Sequence, residues 1–201
     1  MQVIGLTGGI ATGKSTVCAI LENAGAVIID ADRIARNLVK KNLPAYRQIV
    51  DTFGESILLP DGEINRTALG DLIFNDPRKK QLLNKIIHPQ VGKETHRQLK
   101  HIEKSNPHAL VILDIPLLLE SGMHKDLSEV IVVYTPEHIQ IKRLMVRDHI
   151  SQKNALARIR SQMPIEKKKK LATIVIDNSG PLEHTRKQTL EIFQRLKEPP
   201  H

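Results

Sequence analysis

Near the amino terminus, Gly8-Gly9-Ile10-Ala11-Thr12-Gly13-Lys14-Ser15 fits the spacing G-x-x-x-x-G-K-[ST]. Such a loop wraps its backbone N–H groups around phosphates, and the positive end of the following helix faces them. Lys14 then reaches the β- and γ-phosphates of a nucleoside triphosphate, and the Ser15 hydroxyl binds Mg²⁺. Thr16 is placed to hydrogen-bond the α-phosphate. The pattern has this meaning only after a strand and at the start of a helix. Here residues 2–7 (QVIGLT) read as a short buried strand and Lys14–Asn23 as a helix, ended by Gly25.

Acidic residues follow where an open α/β sheet binds ligands, beyond the carboxyl ends of its strands. Asp30 closes the apolar run 26–29, and Asp32 follows two residues on. A carboxylate there can accept a hydroxyl proton or hold a metal-bound water. Asp30 is equally suited to capping the helix that starts at Ala31. Asp32 lies inside the helix start, where capping is less natural, and is favoured for catalysis. Asp114 ends the apolar run 109–113 (ALVIL), the Walker-B arrangement that supports Mg²⁺ through water. Glu120 lies beyond it and suits either a substrate contact or an exposed helix end. Transfer of a phosphoryl group also needs positive charge over that group. Arg143, Arg147, Arg158 and Arg160 are the candidates, with Arg143 and Arg147 four apart on one helical face.

These residues require a scaffold that alternates strand and helix. After the first strand, loop and helix come a strand at 26–29 and a helix at 31–40, the signature of a parallel sheet. From 44 to 105 only helical periodicity is found, with helices expected at Pro44–Phe53, Arg66–Phe74, 77–87 and 90–103. Breaks are expected at Gly54, at the turn 59–62 (LPDG), at 75–77 and at His88-Pro89. This reads as a helical insertion between sheet strands within a single domain, 1–201. Strands resume at 109–113 and Glu129–Tyr134. Thr135 as N-cap and Pro136 as first residue open a helix running to Arg147. Residues 148–163, polar and basic, are expected to form a mobile lid. A last strand at 172–176, a turn at 177–180 and a helix at 181–196 close the chain, with a frayed end at 198–201.

Hydrophobic residues make up 40% of the 201 residues and aromatic ones only 2%, with no Trp, so the core must be Ile, Leu, Val and Ala. The same scarcity argues against single-strand nucleic-acid binding, which uses aromatic platforms. The formal net charge of +8 favours anionic partners without choosing among them. The run Lys167 to Lys170 reads as the exposed face of a short helix. The one cysteine, Cys18, sits in an apolar helix pattern and is expected in the core. No His/Cys cluster has metal-ligand spacing, so no zinc site is expected. Met1 leads directly into a strand pattern, and no apolar run is long enough for a bilayer. A cytoplasmic protein is therefore expected.

Several segments together resemble one family, dephospho-coenzyme A kinase. They are the glycine loop from Gly5 to Thr16, Val27 to Arg36 (VIIDADRIAR), Phe53-Gly54, Asp61-Gly62 with Arg66, and Ile73-Phe74. His88-Pro89, Leu113 to Glu120 (LDIPLLLE) and Ile176 to Gly180 (IDNSG) follow in order. The resemblance implies a P-loop NTPase fold: a three-layer α/β/α domain with a parallel sheet, a helical substrate-binding insertion at about 44–105 and a small lid at 148–163. It implies that ATP, with Mg²⁺, phosphorylates the ribose 3′-hydroxyl of dephospho-coenzyme A. Carried onto this chain, Ala11, Thr12, Gly13, Lys14, Ser15 and Thr16 contact ATP, and Asn178 with Gly180 lies near its adenine. Asp32 becomes the base, and Arg66, His88 and Asp114 join it on the substrate side. A monomer or weak homo-oligomer with a small-molecule partner, and neither nucleic acid nor membrane, is expected. One departure stands out: the family commonly has Gly-Ser or Gly-Ala where this chain has Ala11-Thr12. Another small-molecule kinase of the same architecture is the nearest rival reading. A GTPase switch is disfavoured because no Asn-Lys-x-Asp motif occurs.

Overall fold

The computed structural model describes residues 1–74 and 76–198. Asn75 and residues 199–201, on which one expected break and the frayed end fall, lie outside them. The chain divides into two compact units, one of Met1–Ile29 with the chain from Ser105 onward, the other Asp30–Lys104.

The first unit is built on five strands: β1 (Gln2–Gly8), β2 (Val27–Asp30), β3 (Leu110–Asp114), β4 (Glu129–Tyr134) and β5 (Ile174–Asp177). Their order in the sheet is β2-β3-β1-β4-β5. β1 runs parallel to both β3 and β4, and β4 parallel to β5. Every residue of β3 is buried, as expected of a strand covered on both faces. One face carries α1 (Lys14–Asn23) and the closing helix α9 (Leu182–Lys197), which pack on each other. Val17, Leu21 and Phe193 meet Ile4, Leu6, Ile131 and Ile176 there. Between Ile4 and Leu6, Gly5 faces the other way. A Cβ on it would stand 2.6 Å from Leu118 and 2.7 Å from Leu127, so those leucines cover the second face directly against the backbone.

The numbering of the helices between α1 and α9 follows the chain: α2 (Ala31–Leu38), α3 (Pro44–Phe53), α4 (Arg66–Phe74), α5 (Pro77–Ser105), α6 (Glu137–Asp148), α7 (Gln152–Arg160) and α8 (Ile165–Leu171). The helical unit has its own core, in which Tyr46, Ile49, Ile57, Ile64, Leu69 and Leu83 pack together. The expected turn at 59–62 is present, with Leu58 bridging Ile64 and Asp61 accepting from the Glu63 N–H.

Three expectations are corrected. The break at His88-Pro89 does not occur: α5 is one helix of 29 residues with Pro89 inside it. Ile86 and Ile87 before the proline pack against the helical core, and the Gln90 amide after it donates to the Ile86 carbonyl and to Gln48 of α3. Packing on both sides of the proline outweighs the lost helical hydrogen bond. Pro89→Ala restores an N–H and removes a ring clash, so it is expected to stabilise the protein by about 1–3 kcal/mol. A melting temperature that stays level or falls would contradict this.

The segment 148–163, expected as a lid, also carries a helix that its sequence pattern did not show. It contains α7, capped by Ser151 and packed through Ala155 and Ile159 on Leu144 of α6. Only two apolar residues four apart carry that packing, too weak a periodic signal among charged neighbours. Thr135 is not the cap of α6, which begins after Pro136. Its buried hydroxyl instead donates to the Thr12 and Tyr134 carbonyls. Finally, the lysine run is not all exposed. Lys168 is completely buried, because α8 turns that one position inward onto the sheet.

Candidate functional site

The loop between β1 and α1 holds two left-handed residues, Ala11 at φ 61° and Gly13 at φ 88°. At Gly13 any side chain would collide with the Asn178 amide. At Ala11 the left-handed backbone costs about 1–2 kcal/mol for a residue with a Cβ. The Ala11 methyl packs against the Leu144, Ala155 and Ile159 cluster, which offsets part of that strain. Thr12 is buried and closes the loop on itself, its N–H and hydroxyl both donating to the Gly9 carbonyl at 3.2 and 2.9 Å. Its own carbonyl accepts from Thr135 Oγ1 at 3.1 Å and from Asn178 Nδ2 at 2.7 Å.

No side chain caps α1 and no acidic residue lies in its first turn. The positive end of that helix is left for an anion. Lys14 forms an ion pair with Asp114 Oδ1, and Cys18, one turn on, places Sγ 3.2 Å from Asp114 Oδ2. Cys18 is therefore half-buried against the core and also in contact with the site. Ser15 is exposed beside Lys14. An uncapped helix start, a lysine and an exposed hydroxyl at Ser15 are groups that fit a Mg-nucleotide. Among the described residues, no group of three or more His, Cys, Asp or Glu forms a metal cluster.

Arg143 of α6 reaches this loop. Its guanidinium donates to the Asn178 carbonyl at 2.9 Å and to Thr135 Oγ1 at 3.4 Å. Asn178 is held in turn by Thr185, whose hydroxyl donates to Oδ1 at 2.7 Å. Gly180, in the turn beyond it, is exposed. Arg147 and Arg158 both bind Asp148, each at 2.7 Å. The Arg147 guanidinium holds the Asp148 carboxyl below its usual range, and the carboxylate raises Arg147 correspondingly. Arg160 is exposed at the end of α7. Of the four candidate arginines, the structure brings Arg143 to the loop and ties Arg147 to Arg158.

Sequence reasoning missed the polar residues that brace the loop from behind. Gln140 of α6 is 1% exposed, donates to the Thr135 carbonyl at 2.7 Å, and its Oε1 lies where a side chain on Gly9 would go. A lone Gln between Ile139 and Ile141 was the available signal. Tyr134 donates to Glu166 at 2.6 Å, and that hydrogen bond pushes the phenol up to about 12. Lys169 stands over its ring at 4.2 Å.

In the helical unit, Asp30 caps α2 by accepting from the Arg33 N–H at 2.9 Å. Asp32 is exposed in the first turn of that helix. Arg36 of α2 and Arg66 of α4 line one groove of about 200 Å³, whose other walls are apolar and include Ile49, Leu69, Ile73 and Leu83. His88 is exposed on α5 and does not line this groove.

The sequence profile of the dephospho-CoA kinase family matches residues 2–184. A dephospho-CoA kinase of Carboxydothermus hydrogenoformans is 51% identical over 197 residues, covering 98% of this chain and 95% of the relative. One of Enterococcus faecalis is 50% identical over 187 residues, covering 93% of each. The solved dephospho-CoA kinase from Campylobacter jejuni superposes with a TM-score of 0.73 at 33% identity, covering 98% of both chains. Likeness of this extent, in sequence and in fold, makes the chain a member of the dephospho-CoA kinase family.

Proposed function

We propose that this family's reaction is carried out here by Lys14, Ser15, Asp32 and Arg143, with the acceptor held by the helical unit. The reaction itself follows from the family: ATP phosphorylates the 3′-hydroxyl of dephospho-coenzyme A, giving coenzyme A and ADP in the last step of coenzyme A synthesis. The observation that supports the residue assignment best is the uncapped start of α1, with Lys14 seated on Asp114 beside it.

Backbone amides of the loop at Ala11, Thr12 and Gly13 bind the phosphates, Lys14 leaves Asp114 to meet them, and Thr16 holds the α-phosphate. Mg²⁺, when bound with the nucleotide, neutralises charge on the β- and γ-phosphates. Arg143 and Arg147 add positive charge over the group in transfer, and Asp32 accepts the proton of the attacking hydroxyl. Asn178 and Gly180 border the adenine. The apolar groove with Arg36 and Arg66 suits a molecule that joins an apolar arm to anionic phosphates, as dephospho-coenzyme A does. His88 and Asp114 complete the acceptor side. The segment 148–163 acts as lid and residues 1–201 as one kinase domain, monomeric or weakly self-associating, working in the cytoplasm without nucleic acid or membrane. Among the described residues no helix is long and apolar enough to cross a membrane.

A coupled ADP-release assay with Mg-ATP tests the reading, comparing dephospho-coenzyme A with AMP, adenosine and shikimate. Turnover is expected on dephospho-coenzyme A, with a product heavier by one phosphate. Turnover on another acceptor alone would keep the nucleotide site and discard the acceptor.

A further inference from the structure

The mechanism above leaves one buried charge unused. Lys168 of α8 is 0% exposed, a rare state for a lysine. Its ammonium group has three donors and the structure supplies three acceptors. They are the carbonyl of Gly8 at 3.1 Å, the carbonyl of Pro116 at 3.1 Å and Glu120 Oε1 at 2.8 Å. Each acceptor belongs to a different part of the site. Gly8 opens the phosphate loop. Pro116 follows Asp114 by two residues and also accepts from Thr7 Oγ1 at 2.8 Å. Glu120 in turn accepts from the Met163 N–H at 3.1 Å, at the exit of the lid segment.

A second grip lies six residues earlier. Gln162 Oε1 accepts from the Ile10 N–H at 2.9 Å, a donor within the phosphate loop itself. The stretch from Gln162 to Lys168 therefore holds the loop at two points, Gly8 and Ile10, on either side of Gly9. A cradle of backbone amides works only in one shape, and small displacements in such a site are costly. A surface lysine would serve solubility equally well. One driven fully into the sheet, with every donor committed, needs a reason in the geometry it maintains.

We propose that Lys168 and Gln162 are positioning residues for phosphoryl transfer, holding the phosphate loop in its nucleotide-receiving shape through the Gly8 carbonyl and the Ile10 amide and tying it to the exit of the lid. Neither side chain touches the reacting groups in this assignment, which rests on ATP binding at the loop.

The test uses the full chain as Lys168→Met and Gln162→Ala, with Gln162→Glu as the variant that keeps an acceptor oxygen. Steady-state constants for ATP and for dephospho-coenzyme A are measured separately, well below each melting temperature. ATP binding is followed by calorimetry without acceptor. For Lys168→Met, kcat/KM for ATP is expected to fall about 10–100-fold, with KM for dephospho-coenzyme A changed less than about twofold. Gln162→Ala is expected to fall about 3–10-fold in the same constant, with part of the loss recovered in Gln162→Glu. Lower melting temperatures with unchanged ATP constants would overturn the proposal and leave Lys168 a stabilising residue only. If Lys168→Met does not fold, Gln162→Ala decides: an unchanged ATP dissociation constant and kcat overturn the proposal. Wild-type protein inactive on dephospho-coenzyme A would instead count against the acceptor assignment, while the calorimetric comparison of ATP binding still reads the loop.

Discussion

Lys14→Ala is expected to lower kcat on dephospho-coenzyme A by about 10²–10³-fold, the loss that follows removal of one preorganised charge from a transferring group. In the structure Lys14 is held by Asp114 at the start of an uncapped helix, so its ammonium already stands beside the proposed phosphate site. Ala keeps the helix but removes the only lysine in the loop motif. The same change leaves the Asp114 carboxylate, 7% exposed, without its cation. That is a stability cost distinct from catalysis, because a buried carboxylate loses its compensation. The double variant Lys14→Ala, Asp114→Asn separates the two effects. It should melt above the single Lys14→Ala variant, with turnover no faster than that variant's. Turnover of the single variant within about tenfold of wild type would remove Lys14 from the centre of charge stabilisation.

Asp32→Ala has the second largest expected effect, a drop in kcat of about 10²–10⁴-fold, the usual contribution of a positioned general base. The dissociation constant for ATP should change by less than about threefold, since a group acting only in the transition state leaves ground-state binding intact. The contrast with its neighbour sharpens the expectation. Asp30 caps α2, accepting from the Arg33 N–H, and Asp32 lies exposed in the first turn of the same helix. Asp30→Ala should act mainly on stability, by about 1 kcal/mol. Titration calorimetry for ATP alongside the ADP-release assay checks both variants. Near-normal turnover of Asp32→Ala would show that another group takes the proton.

The loop residues proposed to bind the nucleotide were legible because local chemistry dictates their pattern. A glycine loop between a buried strand and a helix has one common use, and Lys14 and Ser15 follow from its spacing. The buried strands were legible for a similar reason: runs such as LVILD and EVIVVY have no polar face, so they must be covered on both sides. The positive φ at Ala11 was also open to anticipation, from the place where the family commonly has glycine. By itself, then, the sequence determined the parallel sheet, the loop that ends its first strand, and the identity of the lysine and aspartates at the strand ends.

Tertiary structure decided what surrounds them. Local rules stop a helix at His88-Pro89, yet contacts of Ile86, Ile87 and Gln90 on either side carry α5 through. Four consecutive lysines have the same local preferences, and only the rotation of α8 over the sheet buries Lys168 and leaves Lys169 over Tyr134. Thr135 had the composition of a cap, but Thr12, 123 residues away in the chain, takes its hydroxyl. Arg143, Arg147 and Arg158 are alike as sequence, and the folded chain sends the first to Asn178 and the other two to Asp148. For Lys168, Thr135 and Arg143 the deciding partner is distant in sequence, whereas Arg147 pairs with its neighbour Asp148 and that carboxylate draws in Arg158 from ten residues on. Spacing and residue type encode what a group can do, while burial and long-range hydrogen bonding select which of several identical groups does it.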